Sequence, residues 1–271
     1  MRLRELIYLL GFKPRMRLYG HQIENLPLDG GWVQYARWQA PKIQSLPDLQ
    51  QEVDELRQFL RPGDFAIDIG AQVGDSTLPM ALACGAQGLV AAFEPNPVTY
   101  AVLGANASLN PGRTHIFPLP YAATQEDVEM TFDYSDPWLS NGGDHAGQSR
   151  WRHGSAFSIP VRGTNVETLV RKKFPECLER LRYVKIDVEG HDHMVLRSIE
   201  GLLKQYRPHI KIEVARSTPH ADRVGIRDLL LRLGYALHLV VDRQRLFGPA
   251  LTDAHLFGPK TIDVFARPQT P

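Results

Sequence analysis

The chain has 271 residues, 43% of them hydrophobic, and its 31 Lys and Arg residues nearly balance 30 Asp and Glu residues. This composition is typical of one large α/β domain with an extension, and the near-neutral charge excludes a global electrostatic attraction to nucleic acid or to an anionic surface. The two cysteines lack metal-ligand spacing, which argues against a disulfide framework and favours a reducing compartment such as the cytoplasm. No apolar run approaches the roughly 18 residues of a membrane-spanning helix.

The first segment, residues 1–47, is rich in aromatic side chains and is predicted to be an ordered N-terminal extension packed on the body. Within it, residues 1–17 contain five basic residues against Glu5, and apolar residues recur at helical spacing. A short helix docked on the body is the favoured interpretation, and a helix lying on a membrane surface is the alternative. Residues 48–271 are predicted to form the main domain, which begins with a helix that Asp48 caps.

The first predicted strand, Phe65–Ile69, leads into an acidic turn that contains two glycines. Asp68, Gly70 and Gly74 mark this turn, and Glu94 ends the second predicted strand, 24 positions after Gly70. Glycines let the backbone bend sharply and lie against a ligand, and a carboxylate at the neighbouring strand tip can accept hydrogen bonds from ribose hydroxyls. Each strand alone would be an ordinary strand and turn, but the combination predicts a nucleoside site.

The ligand of this site is predicted to be a nucleoside with a cationic tail. The dinucleotide fingerprint G-x-G-x-x-G is absent, because Gln72 stands where the middle glycine would be. A carboxylate at Asp68 would repel a pyrophosphate but could hold an ammonium group. S-adenosylmethionine meets both conditions, because it is a nucleoside without a pyrophosphate and it has an ammonium group in its tail.

The rest of the chain alternates predicted strands and helices, which favours a mainly parallel sheet covered on both faces. A long interruption, residues 134–158, is rich in Gly, Ser, Trp and His and is predicted to be the acceptor-binding loop. The later predicted strands are 115–117, 128–132, 157–161, 183–188, 209–214, 235–241 and 261–266. The predicted helices are 76–84, 98–109, 166–173, 193–199, 201–206 and 222–233.

The fourth strand of the predicted parallel sheet, 183–188, ends in a dense group of polar residues. Charged groups at a strand tip need partners or a ligand, since burying one unpaired is costly. Three interpretations stay open: capping of the next helix, a divalent metal bound by Asp187 with Glu189 or a histidine, and acid–base chemistry on a substrate hydroxyl. The group comprises Asp187, Glu189, His191, Asp192 and His193.

These segments resemble the markers of the FkbM family of S-adenosylmethionine-dependent methyltransferases, in the same order and with similar separations. The resemblance covers residues 55–266 and departs at Gln72, where the family commonly has Asn. It implies a class I methyltransferase fold, a Rossmann-like seven-stranded sheet of order 3-2-1-4-5-7-6 with the seventh strand antiparallel. The segments are Asp68-Ile-Gly-Ala-Gln-Val-Gly-Asp-Ser-Thr77, Phe93-Glu-Pro-Asn-Pro97, Val184-Lys-Ile-Asp-Val-Glu-Gly-His-Asp-His193 and Ile210-Lys-Ile-Glu-Val214.

Carried over by position, the resemblance implies a cofactor site along the first two segments. Asp68, Gly70 and Gly74 would line the methionine end of S-adenosylmethionine, Glu94 would hold the ribose, and Asn96 would lie beside the adenosine. The remaining implied contacts are Gln72, Thr77, Pro95 and the backbone of Ala122.

The resemblance also implies O-methylation of a hydroxyl on a sugar, a glycan or a secondary-metabolite alcohol. A base must take the hydroxyl proton, and His is the commonest base because its pKa lies near the operating pH. His191 is therefore the predicted base, Asp187 or Glu189 would orient it or the acceptor, and Glu189 is the alternative base. Glu213 could bind a substrate hydroxyl or pair with a neighbouring basic residue. A divalent metal is left open but is not part of the predicted site.

Two other functions remain as alternatives. The first is a cofactor-binding scaffold without catalysis, and the second is an NAD(P)-dependent oxidoreductase, which Asp68 and the missing glycine disfavour. Methylation of nucleic acid is disfavoured by the near-neutral charge and by the lack of an Asn-Pro-Pro-Tyr type motif after the fourth strand. The expected partner is therefore a small-molecule or glycan acceptor.

Overall fold

The computed structural model describes residues 15–41, 48–134, 139, 142–143, 157–188, 190–241 and 245–269. Strands and helices alternate along most of this chain, so the predicted α/β class is confirmed. The strands are β1 His21–Leu28, β2 Gly31–Trp38, β3 Phe65–Ile69, β4 Leu89–Phe93, β5 Ile116–Leu119, β6 Ala122–Thr124, β7 Val128–Tyr134, β8 Gly142–Gly143, β9 Phe157–Asn165, β10 Leu181–Ile186, β11 His209–Val214, β12 Tyr235–Leu239 and β13 Ile262–Pro268. The helices are α1 Leu49–Leu56, α2 Thr77–Cys84, α3 Pro97–Ser108, α4 Val166–Lys173, α5 Asp192–Ser198, α6 Glu200–Tyr206, α7 His220–Arg232 and α8 Asp253–Leu256, with a 3-10 helix at Pro175–Arg180.

The central sheet has seven strands in the order β12-β13-β11-β10-β3-β4-β5. Strand β13 is antiparallel to both of its neighbours, and the pairs from β11 to β5 are parallel. If the strands of this sheet are numbered along the chain with β3 as the first, the order read from the β5 edge is 3-2-1-4-5-7-6. The winding reverses between β3 and β10, so the carboxyl ends of these two strands border the crevice in which such sheets bind ligands.

Each face of the sheet carries its own apolar cluster. Phe65, Ile67 and Ile69 of β3 pack with residues of α4 to α7, whereas Ala66 packs with residues of α1 to α3. Continuous apolar strands that are buried on both faces are typical of parallel sheets. Because side chains alternate along a strand, Asp68 lies on the α1 to α3 face, where a charge needs a buried partner.

Residues 21–38 form a β-hairpin that the sequence analysis does not predict. Its two-residue turn, Asp29-Gly30, has φ angles of 58° and 69°. The Asp29 carboxylate forms ion pairs with Arg57, which follows α1, and with Arg113, which follows α3. The distance from Asp29 Oδ2 to Arg113 Nη2 is 2.8 Å. The hydrogen bond from Arg57 lowers the pKa of Asp29, so the turn keeps its negative charge. The hairpin therefore packs against the helices that flank the crevice.

A four-stranded sheet with the order β6-β9-β7-β8 lies beside the central sheet. Strands β7 and β9 correspond to the predicted strands 128–132 and 157–161, and they pair antiparallel across the long interruption. No strand is predicted at β6, which pairs in parallel with β9.

Several predictions from the sequence fall on residues that the structure does not describe. Residues 1–14 are among them, so the predicted helix in residues 1–17 lies almost entirely outside the described part. The same holds for most of the loop 134–158. Within the ranges that are described, no helix has the length and apolar character needed to cross a membrane. Cys84 and Cys177 are buried free thiols.

Candidate active site

The crevice between β3 and β10 brings the glycine turn into contact with the Asp187 segment. The N–H group of Asp187 donates to the Ile69 carbonyl at 3.0 Å. Gly70 has a φ of 85°, and a Cβ on it would lie 1.9 Å from the Asp187 carbonyl oxygen. A glycine is therefore required here by the neighbouring strand end as well as by the left-handed backbone.

Hydrogen bonds to the end of β4 hold the glycine turn. The N–H groups of Gly70 and Ala71 donate to the Phe93 carbonyl at 3.0 and 2.9 Å. Gln72 has a φ of 50°, a left-handed conformation that is uncommon for a residue with a side chain. Its N–H group donates to the Glu94 carboxylate at 2.8 Å, which stabilises this conformation.

Glu94 follows β4 directly and is 7% exposed. Its Oε1 accepts from the Asn96 N–H group and the Thr99 hydroxyl, both at 2.9 Å, and its Oε2 accepts from the Gln72 N–H group. A carboxylate offers about four acceptor positions, so the bonds from the described residues fill three of them. Burial raises the pKa of Glu94 to about 7 even though all three hydrogen bonds act in the opposite direction.

Asn96 caps α3 and also anchors the interruption between β7 and β9. Its Oδ1 accepts from the Val98 N–H group at 2.9 Å, and its Nδ2 donates to the Leu139 carbonyl at 2.8 Å. Leu139 is fully buried in a cluster with Tyr134 and Phe157. The predicted acceptor loop is thus fastened two residues from Glu94. Because the Asn96 amide is engaged in these two bonds, its contact with adenosine stays a prediction.

Asp68 has no exposed surface. Its Oδ2 accepts from the hydroxyls of Thr77 and Ser76 at 2.6 and 3.1 Å. Its Oδ1 has no hydrogen-bond partner among the described residues and lies 3.4 Å from Lys185 Nζ, an ion pair without hydrogen-bond geometry. Oδ1 is therefore a buried acceptor whose capacity is not filled. Since the side chain is fully enclosed, its contact with a cofactor ammonium group stays a prediction.

Lys185 on β10 is a site residue that the sequence analysis does not single out. Its Nζ lies 3.3 Å from Asp187 Oδ2 and 3.5 Å from the Gly70 carbonyl oxygen, in addition to Asp68. Burial alone would lower the pKa of Lys185, but the charges of Asp68 and Asp187 outweigh it and hold this pKa well above its usual value. Lys185 therefore joins the glycine turn to the Asp187 segment. A lysine inside an otherwise apolar strand is the sequence signal that identifies it.

Lys185 belongs to a row of charged side chains across neighbouring strands. The register places it beside Asp68 of β3 and Lys211 of β11. Lys211 Nζ lies 3.2 Å from Asp263 Oδ2 of β13, and Asp263 is opposite Glu213 in the register. Parallel strands are normally apolar on both faces. This polar row therefore departs from the usual pattern of a parallel sheet.

Two residues of the segment after β10 have structural roles. Asp192 is 1% exposed, and its carboxylate accepts from the N–H groups of Val188 and Gly190, both at 3.0 Å. It closes the turn before α5 and lies in the first turn of that helix, but the helix has no side-chain cap. His193 Nδ1 lies 3.0 Å from Asp222 Oδ1 of α7, which ties the two helices together.

The predicted catalytic residues are placed differently from Asp192 and His193. The Asp187 side chain is 41% exposed, so solvent in the crevice reaches its carboxylate while Oδ2 pairs with Lys185. His191 is half-buried immediately before α5. Glu189 lies outside the described residues. In the part of the chain that is described, no group of three or more His, Cys, Asp and Glu residues could hold a metal ion.

The other predicted cofactor residues lie along the same edge of the sheet. Thr77 is fully buried at the start of α2, and Gly74 has a φ of 95°. Pro95 is half-buried beside Glu94, and Ala122 is buried at the start of β6. Their contacts with a cofactor stay predictions.

Residues 68–237 match the model of the family described as the Methyltransferase FkbM domain. The matched range contains the glycine turn, Glu94 and the Asp187 segment. It does not contain the β1-β2 hairpin or α1.

Curated relatives and a solved structure are also similar to this chain. The hexuronic acid methyltransferase AglP of Haloferax volcanii is 28% identical over 169 residues, which cover 60% of this chain and 62% of AglP. The methyltransferase sdnD of Sordaria araneosa is 28% identical over 160 residues, which cover 50% of this chain and 60% of sdnD. The chain thus spans about 60% of the length of these relatives. The crystal structure of Methyltransferase FkbM from Methylobacillus flagellatus aligns with a TM-score of 0.47 at 12% identity, over 79% of this chain and 50% of that chain.

Proposed function

Because this chain belongs to the FkbM methyltransferase family, we propose that it uses S-adenosylmethionine to methylate a hydroxyl oxygen of a sugar, a glycan or a secondary-metabolite alcohol. The observation that carries this proposal is the 3.0 Å hydrogen bond between the Asp187 N–H group and the Ile69 carbonyl. It joins the ends of the strands that carry the Gly70 turn and the Asp187 segment, which supports the proposal that cofactor and acceptor share this crevice. A cofactor and an acceptor that occupy this crevice together would meet there.

The residues of the glycine turn fit a nucleoside with a cationic tail. Glu94 keeps one acceptor position for a ribose hydroxyl, and Asp68 Oδ1 is a buried acceptor without a hydrogen bond. Lys185 offsets one of the two carboxylates of Asp68 and Asp187, so one net negative charge remains beside the turn, which favours a cation over a phosphate. S-adenosylmethionine would supply an activated methyl group, so the chain itself must bind the acceptor, orient its hydroxyl and remove one proton.

We assign proton removal to His191 and orientation of the acceptor hydroxyl to Asp187. A neutral imidazole can accept the proton near neutral pH. The Asp187 carboxylate is partly exposed and is steadied by Lys185 at 3.3 Å, so it can accept a hydrogen bond from the acceptor without leaving its position. Glu189, the alternative base, is a neighbour of both in the sequence.

A sugar is the acceptor class that we favour. The relative AglP is named as a hexuronic acid methyltransferase, which supports a carbohydrate substrate. Charged side chains such as Lys211, Glu213 and Asp263 can form hydrogen bonds with the many hydroxyls of a sugar ring. The loop 134–158, anchored at Leu139, is proposed to contact the acceptor from the other side.

Transfer of a labelled methyl group tests the proposed function directly. The protein is incubated with methyl-labelled S-adenosylmethionine and a panel of monosaccharides, uronic acids, glycans and simple alcohols, and products are identified by mass spectrometry. We expect label on a hydroxyl oxygen of at least one carbohydrate. Tight cofactor binding without transfer across the panel would instead support the non-catalytic alternative, and binding of NAD(P) would support the oxidoreductase.

Replacing His191 with alanine should lower turnover by about 100-fold to 10,000-fold, because the acceptor hydroxyl loses its base. Affinity for S-adenosylmethionine should change little, which isothermal calorimetry can verify. His220→Ala is the matched control, since His220 is exposed at the start of α7 and should leave turnover within about twofold. Near-normal turnover in His191→Ala would contradict this assignment and would favour Glu189 as the base.

The affinity for S-adenosylmethionine should rise with pH up to about neutrality. Ribose hydroxyls donate to an ionised carboxylate, and burial holds the pKa of Glu94 at about 7 in the cofactor-free protein. At pH 6 only about a tenth of Glu94 would be ionised, so binding should be about tenfold weaker than its plateau at higher pH. Calorimetry between about pH 5.5 and pH 8.5 measures this change.

Glu94→Gln is the control for this pH dependence, since glutamine does not titrate. It should bind weakly at every pH and show no slope in this interval. In the wild type, Glu94 should also lower the stability of the cofactor-free protein as the pH rises from 4.5 to about 7, because the unfolded chain releases that proton first. A flat affinity profile in the wild type would contradict the role of Glu94 in binding ribose.

A further inference from the structure

The β1-β2 hairpin lies outside the range that matches the family, yet one side chain joins it to the glycine turn. We propose that Asn106 is a positioning residue for the cofactor and that it makes the hairpin a working part of the cofactor site. This inference rests on the proposed binding of S-adenosylmethionine at the glycine turn. Asn106 lies in the last turns of α3 and is 2% exposed.

The side-chain amide of Asn106 has hydrogen bonds to two separate parts of the chain. Its Oδ1 accepts from the Ala36 N–H group at 2.7 Å, and its Nδ2 donates to the Ala36 carbonyl at 3.1 Å. The same Nδ2 donates to the Val73 carbonyl at 2.8 Å. Asn106 thus pairs with one residue of β2 as a neighbouring strand would, and also holds the glycine turn through its second N–H.

Asn110, four residues later, repeats only the first half of this arrangement. Its Oδ1 accepts from the Gln34 N–H group and its Nδ2 donates to the Gln34 carbonyl, both at 2.8 Å. Asn110 has no described contact with the glycine turn. Both asparagines therefore bind the hairpin, but among the described contacts only Asn106 also binds the glycine turn. Comparing variants of the two residues distinguishes the effect of the hairpin from the effect of the turn.

The position of Val73 explains why this support matters for the cofactor. Val73 follows Gln72, whose left-handed backbone is held on the other side by the Glu94 carboxylate at 2.8 Å. Such a conformation costs free energy for a residue with a side chain and persists only where the surroundings fix it. Glu94 holds the peptide group before Gln72, and Asn106 holds the peptide group after Val73, so the two bonds bracket this part of the turn. Loss of the Asn106 bond should therefore let the turn relax away from the geometry that binds the cofactor.

Apolar and polar contacts of the hairpin extend the same connection. Ala36 and Trp38 of β2 are buried in one cluster with Val73 of the turn. Tyr35, on the other face of β2, is also buried. Its pKa is raised by burial and, next, by the charge of Asp75, the residue that follows Gly74. The apolar packing of Val73 against β2 therefore adds to the Asn106 hydrogen bonds that join the hairpin to the turn.

The test compares Asn106→Ala, Asn106→Asp and Asn110→Ala in the full-length protein. We expect both asparagine-to-alanine variants to lower the melting temperature, because each removes two hydrogen bonds to β2. Only the Asn106 variants should weaken S-adenosylmethionine binding, by about tenfold, which is the loss of roughly one hydrogen bond to the turn. Asn106→Asp keeps an acceptor for the Ala36 N–H group but, when ionised, cannot donate to Val73.

Two further measurements make the result specific. The Michaelis constant for S-adenosylmethionine should rise in the Asn106 variants while that for the acceptor stays the same. Hydrogen exchange of the amides in residues 72–74 should accelerate in the Asn106 variants and not in Asn110→Ala, a readout that survives even where a variant is less stable. Equal effects of Asn106→Ala and Asn110→Ala on cofactor affinity would overturn the inference. Failure of the wild type to bind S-adenosylmethionine would instead overturn the proposed function.

Discussion

Replacing Gly70 with alanine should abolish cofactor binding and should destabilise the protein by more than about 3 kcal/mol. The added Cβ would lie 1.9 Å from the carbonyl oxygen of Asp187 and 2.9 Å from its carbonyl carbon, which are backbone atoms that no rotamer change can move. The φ of 85° adds the strain of a left-handed backbone to this clash. Relief requires β3 and β10 to separate at their carboxyl ends, where the proposed cofactor turn and the proposed catalytic segment meet.

Gly104→Ala is the matched control for this substitution. Gly104 lies within α3, its φ is not positive, and an added Cβ would have no neighbour within 4 Å. Alanine should therefore stabilise the helix by about 0.5–1 kcal/mol and leave cofactor binding unchanged. Thermal denaturation and calorimetry measure both variants. Normal cofactor affinity in Gly70→Ala would show that the two strand ends can separate without loss of the site.

The spacing of residues in the sequence was enough to predict the glycine turn. The separation of Asp68, Gly70 and Glu94 predicts a turn at the carboxyl end of a parallel strand, and the structure places all three there. The physical reason for Gly70 is different from the predicted one, however. The sequence predicts that a ligand approaches Gly70 closely. In the structure, the atom that an added Cβ at Gly70 would meet first is the carbonyl oxygen of Asp187, 117 residues later in the chain.

Other parts of the site depend on partners that are distant in the sequence. Asn106 binds Ala36 and Val73, and nothing in the local pattern of α3 identifies these partners. The hairpin had a local signal, since Asp29-Gly30 between apolar segments is typical of a two-residue hairpin turn. A structural role for Asp192 could be proposed from the sequence but not distinguished from catalysis, because the distinction depends on which backbone groups reach its carboxylate.

Replacing Lys185 with methionine should lower the free energy of unfolding by about 3–5 kcal/mol, the usual cost of leaving a buried charge without its partner. Asp68 has no exposed surface and would lose its only cationic neighbour among the described residues. Asp187 would lose the same partner at smaller cost, because its side chain is 41% exposed and water can solvate it. Turnover should also fall, since the Asp187 carboxylate, which is proposed to orient the acceptor, is no longer held in place. Chemical denaturation and steady-state kinetics measure the two effects.

Two further variants determine whether charge is the cause. Lys211→Met makes the same change on the neighbouring strand, where Asp263 is 27% exposed, and should cost at most about 1 kcal/mol. The double variant Asp68→Asn with Lys185→Met removes both charges of the buried pair and should recover much of the lost stability, because the one ion left without a partner is Asp187, whose side chain is 41% exposed. It should not recover turnover, since Asp187 still lacks Lys185. If the double variant is as unstable as Lys185→Met alone, the loss arises from packing of the lysine side chain, and the ion pair with Asp68 contributes little to stability.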